Sequence, residues 1–139
     1  MEVVKEKYHQ ALNALERLSE EIEAYDKIDH DTEIIIRRRT RNSLIQTYEF
    51  TYEIFWRFLF ALLRDKYSVV SEVMGPRQTF KEAAQQKIIS DQELIHLTEL
   101  SVDRNKTSHA YLELIASEIA DRIPAHYQFI KKILERVKI

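Results

Sequence analysis

The chain has 139 residues with one Gly, two Pro and no Cys, too few turn formers for a β-rich fold and no material for disulfides, thiol nucleophiles or thiolate metal sites. Hydrophobic residues make up 45% and charged residues 32%, enough for a core and a solvated surface, which argues against disorder and for a single domain over 1–139. A formal net charge of −2 excludes a generic polyanion binder, so any nucleic-acid contact must come from a local patch.

The chain opens on Met1-Glu2-Val3-Val4-Lys5-Glu6, without the basic start and apolar stretch of a signal peptide. Its most apolar run, Ile54 to Leu63, is interrupted by Arg57 and is far short of the ~20 residues of a membrane span. A soluble cytoplasmic protein with no membrane association is expected.

In chain order, Tyr8, Ala11, Leu12, Leu15, Leu18, Ile22 and Tyr25 fall in steps of three and four, which predicts a first helix from about Val3 to Tyr25. Asp29 or Asp31 is placed to cap a second, running from about Thr32 to Lys66. Tyr48, Tyr52, Phe55, Leu59 and Leu62 form one apolar face of it, and Phe50, Ile54, Phe58 and Ala61 another. A helix apolar on two faces must bury both, so the second face is expected to meet a second subunit. Gly75-Pro76 starts a short third helix to about Gln86, and Ser90-Asp91-Gln92-Glu93 has capping-box spacing for a fourth ending near Asp103, with Leu94, Leu97 and Leu100 inward. After a polar interruption from Arg104 to Ser108, a fifth helix carries Leu112, Ile115 and Ile119, and Pro124 kinks or restarts it before Phe129, Ile130, Ile133, Leu134 and Val137. The expected fold class is all-α, an antiparallel up-and-down four-helix bundle with additional short helices.

Arg104-Asn105-Lys106-Thr107-Ser108-His109-Ala110-Tyr111 puts a permanent cation, an imidazole and a phenol within eight residues at a helix junction. Arg can clamp a phosphate and offset charge that builds on it. His can take a proton from a hydroxyl or donate one to a leaving oxygen near neutral pH. The pair suits metal-free RNA cleavage in which the 2′-hydroxyl attacks the neighbouring phosphate; a solvated inter-helix turn would use the same residues. In-line transfer needs both a base and an acid while the segment holds one His, a shortage that a two-fold axis beside it would cure.

Arg37-Arg38-Arg39-Thr40-Arg41 could track a phosphate backbone, or lie solvated with Glu33 as partial counter-charge. The aromatic residues between Tyr48 and Phe60 read as core and interface. Two Glu-x-x-His tetrads, Glu6 to His9 and Glu93 to His96, invite a di-metal reading, but the first faces outward and the second lacks a partner, so no metal site and no cofactor are expected. His30 and His126 read as surface residues.

Three pieces in order resemble the HEPN family, in the subgroup of nucleotidyltransferase substrate-binding proteins, from about Arg41 to the end. They are the aromatic-Glu pattern of Asn42 to Trp56, the helix opening Gly75-Pro76-Arg77-Gln78-Thr79-Phe80-Lys81-Glu82-Ala83, and Asp103 to Tyr111 as an Arg-x4-His-x-Tyr form of the family's ribonuclease motif. The resemblance implies a dimer paired with a separate minimal nucleotidyltransferase, usually as a toxin–antitoxin system, with metal-independent endoribonuclease activity at the dimer axis. It assigns catalysis to Arg104 and His109 and adenylylation by the partner to Tyr111; Arg37, Arg38, Arg41 and Lys106 remain candidates for RNA contact. The subgroup name implies the alternative, a non-catalytic subunit that presents a substrate to the nucleotidyltransferase.

Overall fold

The computed structural model describes residues 1–69 and 74–139 and contains five α-helices: α1 (Glu2–Asp26), α2 (Ile34–Lys66), α3 (Pro76–Gln85), α4 (Asp91–Lys106) and α5 (Glu113–Arg136), with a 3-10 turn at Thr107–His109. Cross-helix contacts fix their directions. Met1 meets Asp65, the Tyr8 ring lies 5.5 Å from Phe58, and the Thr51 hydroxyl reaches the Ala14 carbonyl, so α1 and α2 run antiparallel. Glu93 meets Arg136, His96 meets Phe129 and Asp103 meets Arg122, so α4 and α5 do too. The Tyr8 hydroxyl donates to the Leu134 carbonyl at 3.0 Å and ties the start of α1 to the end of α5. The result is an all-α bundle of α1, α2, α4 and α5, with the short α3 packed against α2 and α4. Among the described residues no helix is long and apolar enough to cross a membrane.

Several boundaries differ from the sequence reading for identifiable reasons. Asp29 does not cap α2; its Oδ1 accepts from the amides of Asp31 and Thr32 and folds the preceding loop, and α2 starts after Glu33 without a side-chain cap. The capping box forms as expected, with the Ser90 hydroxyl accepting from the Glu93 amide and the Glu93 carboxylate accepting from the Ser90 amide. Lys87, with φ 60°, takes the left-handed position after α3 that glycine usually fills, and Ile88 N–H closes onto the Ala83 carbonyl. Helix α4 runs three residues past the expected end at Asp103, and α5 passes through Pro124 without restarting.

The larger correction concerns the second apolar face of α2. Phe58 and Ala61 are core residues: Phe58 is fully buried against α1, whereas Phe50 is 60% exposed and Ile54 partly buried. Ten residues at 100° each leave Phe58 only about 80° from Tyr48 around α2, so α1, packed on Phe58, and α4 and α5, packed on Tyr48, bury both. Phe58→Ala is therefore expected to cost about 3–5 kcal/mol in denaturant unfolding. A cost near zero would contradict its place in the core.

Candidate functional site

A repeated dipeptide on α2, Tyr48-Glu49 and Tyr52-Glu53, docks the end of α4. Residues four apart share a helix face, so the two tyrosines point inward together and the two glutamates sit beside them. The Tyr48 hydroxyl donates to the Leu100 carbonyl at 2.7 Å. Ser101 Oγ donates to the Leu97 carbonyl, which leaves the Tyr52 hydroxyl to donate to Ser101 Oγ at 2.9 Å. One turn on, Arg104 reaches the glutamates, with Nη1 3.5 Å from Glu49 Oε2 and Nε 3.7 Å from Glu53 Oε1. Burial pushes the Tyr48 phenol well above its ordinary range, with the Asp103 carboxylate adding to it, so Tyr48 stays a neutral donor.

Asp103, next to Arg104, faces the core and is 3% exposed. Its carboxylate takes a two-point bond from Arg122, Nε at 2.9 Å and Nη2 at 2.7 Å, and a third contact from His126 Nε2 at 2.7 Å. Burial pushes this carboxyl up, but the bonds and charges of His126 and Arg122 outweigh it and hold it at about 2. His126 stacks on the Tyr48 ring at 5.5 Å, and its Nδ1 shares a hydrogen bond with His96 Nε2 at 3.2 Å. Burial, then the neighbouring His126, lowers the pKa of His96. His126 is thus 2% exposed and structural, not the surface residue expected beside Pro124. Its phase was readable: it lies seven residues after Ile119 and four before Ile130, both core.

Arg104 lies in the last turn of α4, and its Nη1 also donates to Thr107 Oγ1 at 3.0 Å while that hydroxyl donates to the Arg104 carbonyl. The 3-10 turn then carries the chain away from the core. His109 is exposed, and its ring centroid lies 6.3 Å from that of Tyr111. Tyr111 is 78% exposed, and Leu112 and Leu114 beside it are also exposed. Lys106 is exposed. The turn thus leaves Arg104, His109 and Tyr111 at one end of α4, and among the described residues only Arg104 is held by side chains.

The turn is tied to α2 a second time. Glu113 opens α5 and accepts from Arg38 Nε at 3.0 Å through one oxygen and from Arg41 Nη1 at 2.9 Å through the other. These bonds, Arg41's foremost, lower the Glu113 pKa. The arginine run is therefore split: Arg39 is exposed, whereas the Arg41 side chain is only 12% exposed. Neither Glu113 nor Asp103 is visible as a partner in the sequence, because each meets its arginines across helices. Of the two tetrads, Glu6 and His9 are exposed on α1; Glu93 is claimed by Arg136 at 2.8 Å, and that bond, against the effect of burial, lowers its pKa to about 2.

A five-helix bundle in which Arg104 and His109 flank a turn defines a small helical protein with an Arg-x4-His junction. The family model described as "Nucleotidyltransferase substrate binding protein like" matches residues 6–139, and the chain belongs to that family. Its fold is that of HEPN proteins. It is similar to a Thermus thermophilus protein of known crystal structure, with 28% identity, a TM-score of 0.76, and coverage of 93% of this chain and 99% of that one. It shares the fold of a tri-AMPylated Shewanella oneidensis HEPN toxin in complex with an MNT antitoxin, with 15% identity, a TM-score of 0.75, and coverage of 99% and 98%. A toxin–antitoxin structure with AMP-PNP aligns at a TM-score of 0.67 and 13% identity, over 99% of each chain. No curated protein sequence matches the chain.

Between its unfolded value of 3.8 and its folded value of about 2, Asp103 binds fewer protons in the fold than in the unfolded chain. Its contribution to stability, about 2 kcal/mol, is complete above about pH 4 and is lost as pH falls through about 2. Asp103→Asn should lower unfolding stability at neutral pH by about 3 kcal/mol and flatten this acid limb in urea titrations at several pH values. An unchanged limb would contradict the bridge.

Proposed function

We propose that this chain is the toxin of a toxin–antitoxin pair, an endoribonuclease that cleaves RNA without metal at a site shared by two copies, neutralised by a separate minimal nucleotidyltransferase. The observation that carries this reading is the placement of Arg104, ion-paired with Glu49 and Glu53 in the last turn of α4, five residues before the exposed His109. Membership of the family and the likeness to the HEPN toxin fold support the partner.

In this mechanism the 2′-hydroxyl oxygen attacks the adjacent phosphorus while one His109 takes its proton. The bond from phosphorus to the 5′ oxygen breaks, and the second copy's His109 protonates that oxygen. A cyclic phosphate and a 5′-hydroxyl result. Arg104 donates to the phosphoryl oxygens as charge gathers on them, and Glu49 and Glu53 hold its side chain in place before substrate arrives. One chain offers a single imidazole where in-line transfer needs both a base and an acid; a second copy supplies the second imidazole, together with a second guanidinium. The exposure of Phe50, beside Glu49, supports this face of α2 as the one on which the copies meet. Lys106 adds a flanking cation for the strand.

Tyr111 is the residue the partner modifies. Its phenol oxygen attacks the α-phosphorus of ATP, pyrophosphate leaves with the bonding pair, and the phenol proton passes to solvent. The added nucleotide places a phosphate two residues from His109 and repels an incoming strand. The exposure of Tyr111, Leu112 and Leu114 supports access by another protein. The same exposure favours the second reading, a non-catalytic subunit that presents a substrate to the nucleotidyltransferase, which is also what the family description suggests.

The purified protein should cut RNA in excess EDTA, and His109→Ala should lower the rate by about 100-fold or more with helicity unchanged. Undiminished cutting by that variant would reject the mechanism; no cutting, with stimulation of nucleotidyl transfer by the partner, would establish the second reading. Phe50→Glu should convert a sedimenting dimer to a folded monomer, and a wild type that sediments as a monomer at micromolar concentration would remove the shared site.

A further inference from the structure

A cleft of about 500 Å³ opens where the end of α1, the loop after it, the start of α2 and the start of α5 converge. Arg37, Arg38 and Arg41, on one face of α2, line it together with Tyr25, Ile34 and Glu113. Three carboxylates border the cleft, Asp26, Asp29 and Glu113, and His30 lies at its edge. Asp29 Oδ1 is occupied by loop amides, and His30 stands 3.7 Å from Asp31. Among the described residues only Glu113 bonds the guanidiniums, and it does so with both oxygens, one to Arg38 and one to Arg41.

That arrangement leaves donors over. The Nε–H groups of Arg37 and Arg41 are enclosed and have no acceptor among the described residues. A two-oxygen carboxylate cannot serve three guanidinium forks, whereas a phosphate presents more oxygens in a geometry that suits them. We propose that this cleft is a phosphate subsite for a single-stranded RNA and that Glu113 occupies it as an internal substitute, displaced when the strand binds. The inference rests on the RNA-acting reading and deepens its substrate side. The partly buried ring of Tyr25 and the half-exposed Ile34 supply an apolar wall for a ribose or base. Arg41 stands eight residues before Glu49, about 12 Å along α2, so one strand can span the cleft and the Arg104 turn. Glu113 is four residues beyond His109, so releasing it loosens the start of α5 next to the turn.

The test is fluorescence anisotropy with a labelled 2′-O-methyl oligoribonucleotide, which cannot be cleaved and so reads binding whether or not the chain is a ribonuclease. Glu113→Gln should tighten binding on the order of fivefold. Arg37→Gln combined with Arg41→Gln should weaken it about tenfold and lower the slope of log affinity against log salt by about one. Adenosine monophosphate that displaces the strand from the wild type and itself binds through Arg37 and Arg41 would support the phosphate site while assigning it to a free nucleotide. Unchanged affinity in both the glutamate and the arginine variants overturns the proposal.

Discussion

The carboxylate of Asp103 joins the last turn of α4 to α5, and the geometry of the junction follows from it. Arg122 grips it with two bonds, and His126 approaches from one turn further along α5. Because Asp103 faces the core, the next residue, Arg104, emerges about 100° around the axis, toward α2. There Glu49 and Glu53 receive it. A buried carboxylate with fewer partners would be costly. Here the desolvation is offset by a guanidinium and an imidazole, and the bonded chain continues through His126 to His96 near the surface.

The same junction is held from the other side by the tyrosines of α2. Tyr48 and Tyr52 bond to Leu100 and Ser101 in the turn just before Asp103, so the inward tyrosine and the adjacent glutamate of each dipeptide divide the work. The tyrosines fix the α4 backbone, and the glutamates fix Arg104. This is the physical content of the aromatic-Glu pattern on which the family resemblance partly rests. Beyond Thr107 such support ends among the described residues, and His109 and Tyr111 are exposed.

Helix number, the capping box at Ser90 and most of the core stripes were legible in the sequence, because period and cap chemistry are local. Phe58 was not, because helical phase shows that a residue lies on a face but not how far a neighbouring helix wraps around it. His126 was obscured by its neighbour Pro124, although its spacing from Ile119 and Ile130 pointed inward. The partners Asp103–Arg122 and Glu113–Arg41 lay beyond reach: residues 19 and 72 apart are joined by tertiary packing, for which one sequence carries no periodic signal. The arginine run shows the same limit. Counted along the chain it is a charge cluster; folded, three of its members line a cleft in which one carboxylate, Glu113, bonds two of them, Arg38 and Arg41.

Transphosphorylation by Arg104 and His109 would mark its products. The most direct measurement is the chemistry of the RNA ends after incubation with purified protein in excess EDTA. The proposed mechanism predicts a 2′,3′-cyclic phosphate on one fragment and a 5′-hydroxyl on the other. Fragments ending in a 3′-hydroxyl and a 5′-phosphate, or cleavage that appears only when divalent metal is restored, would contradict it.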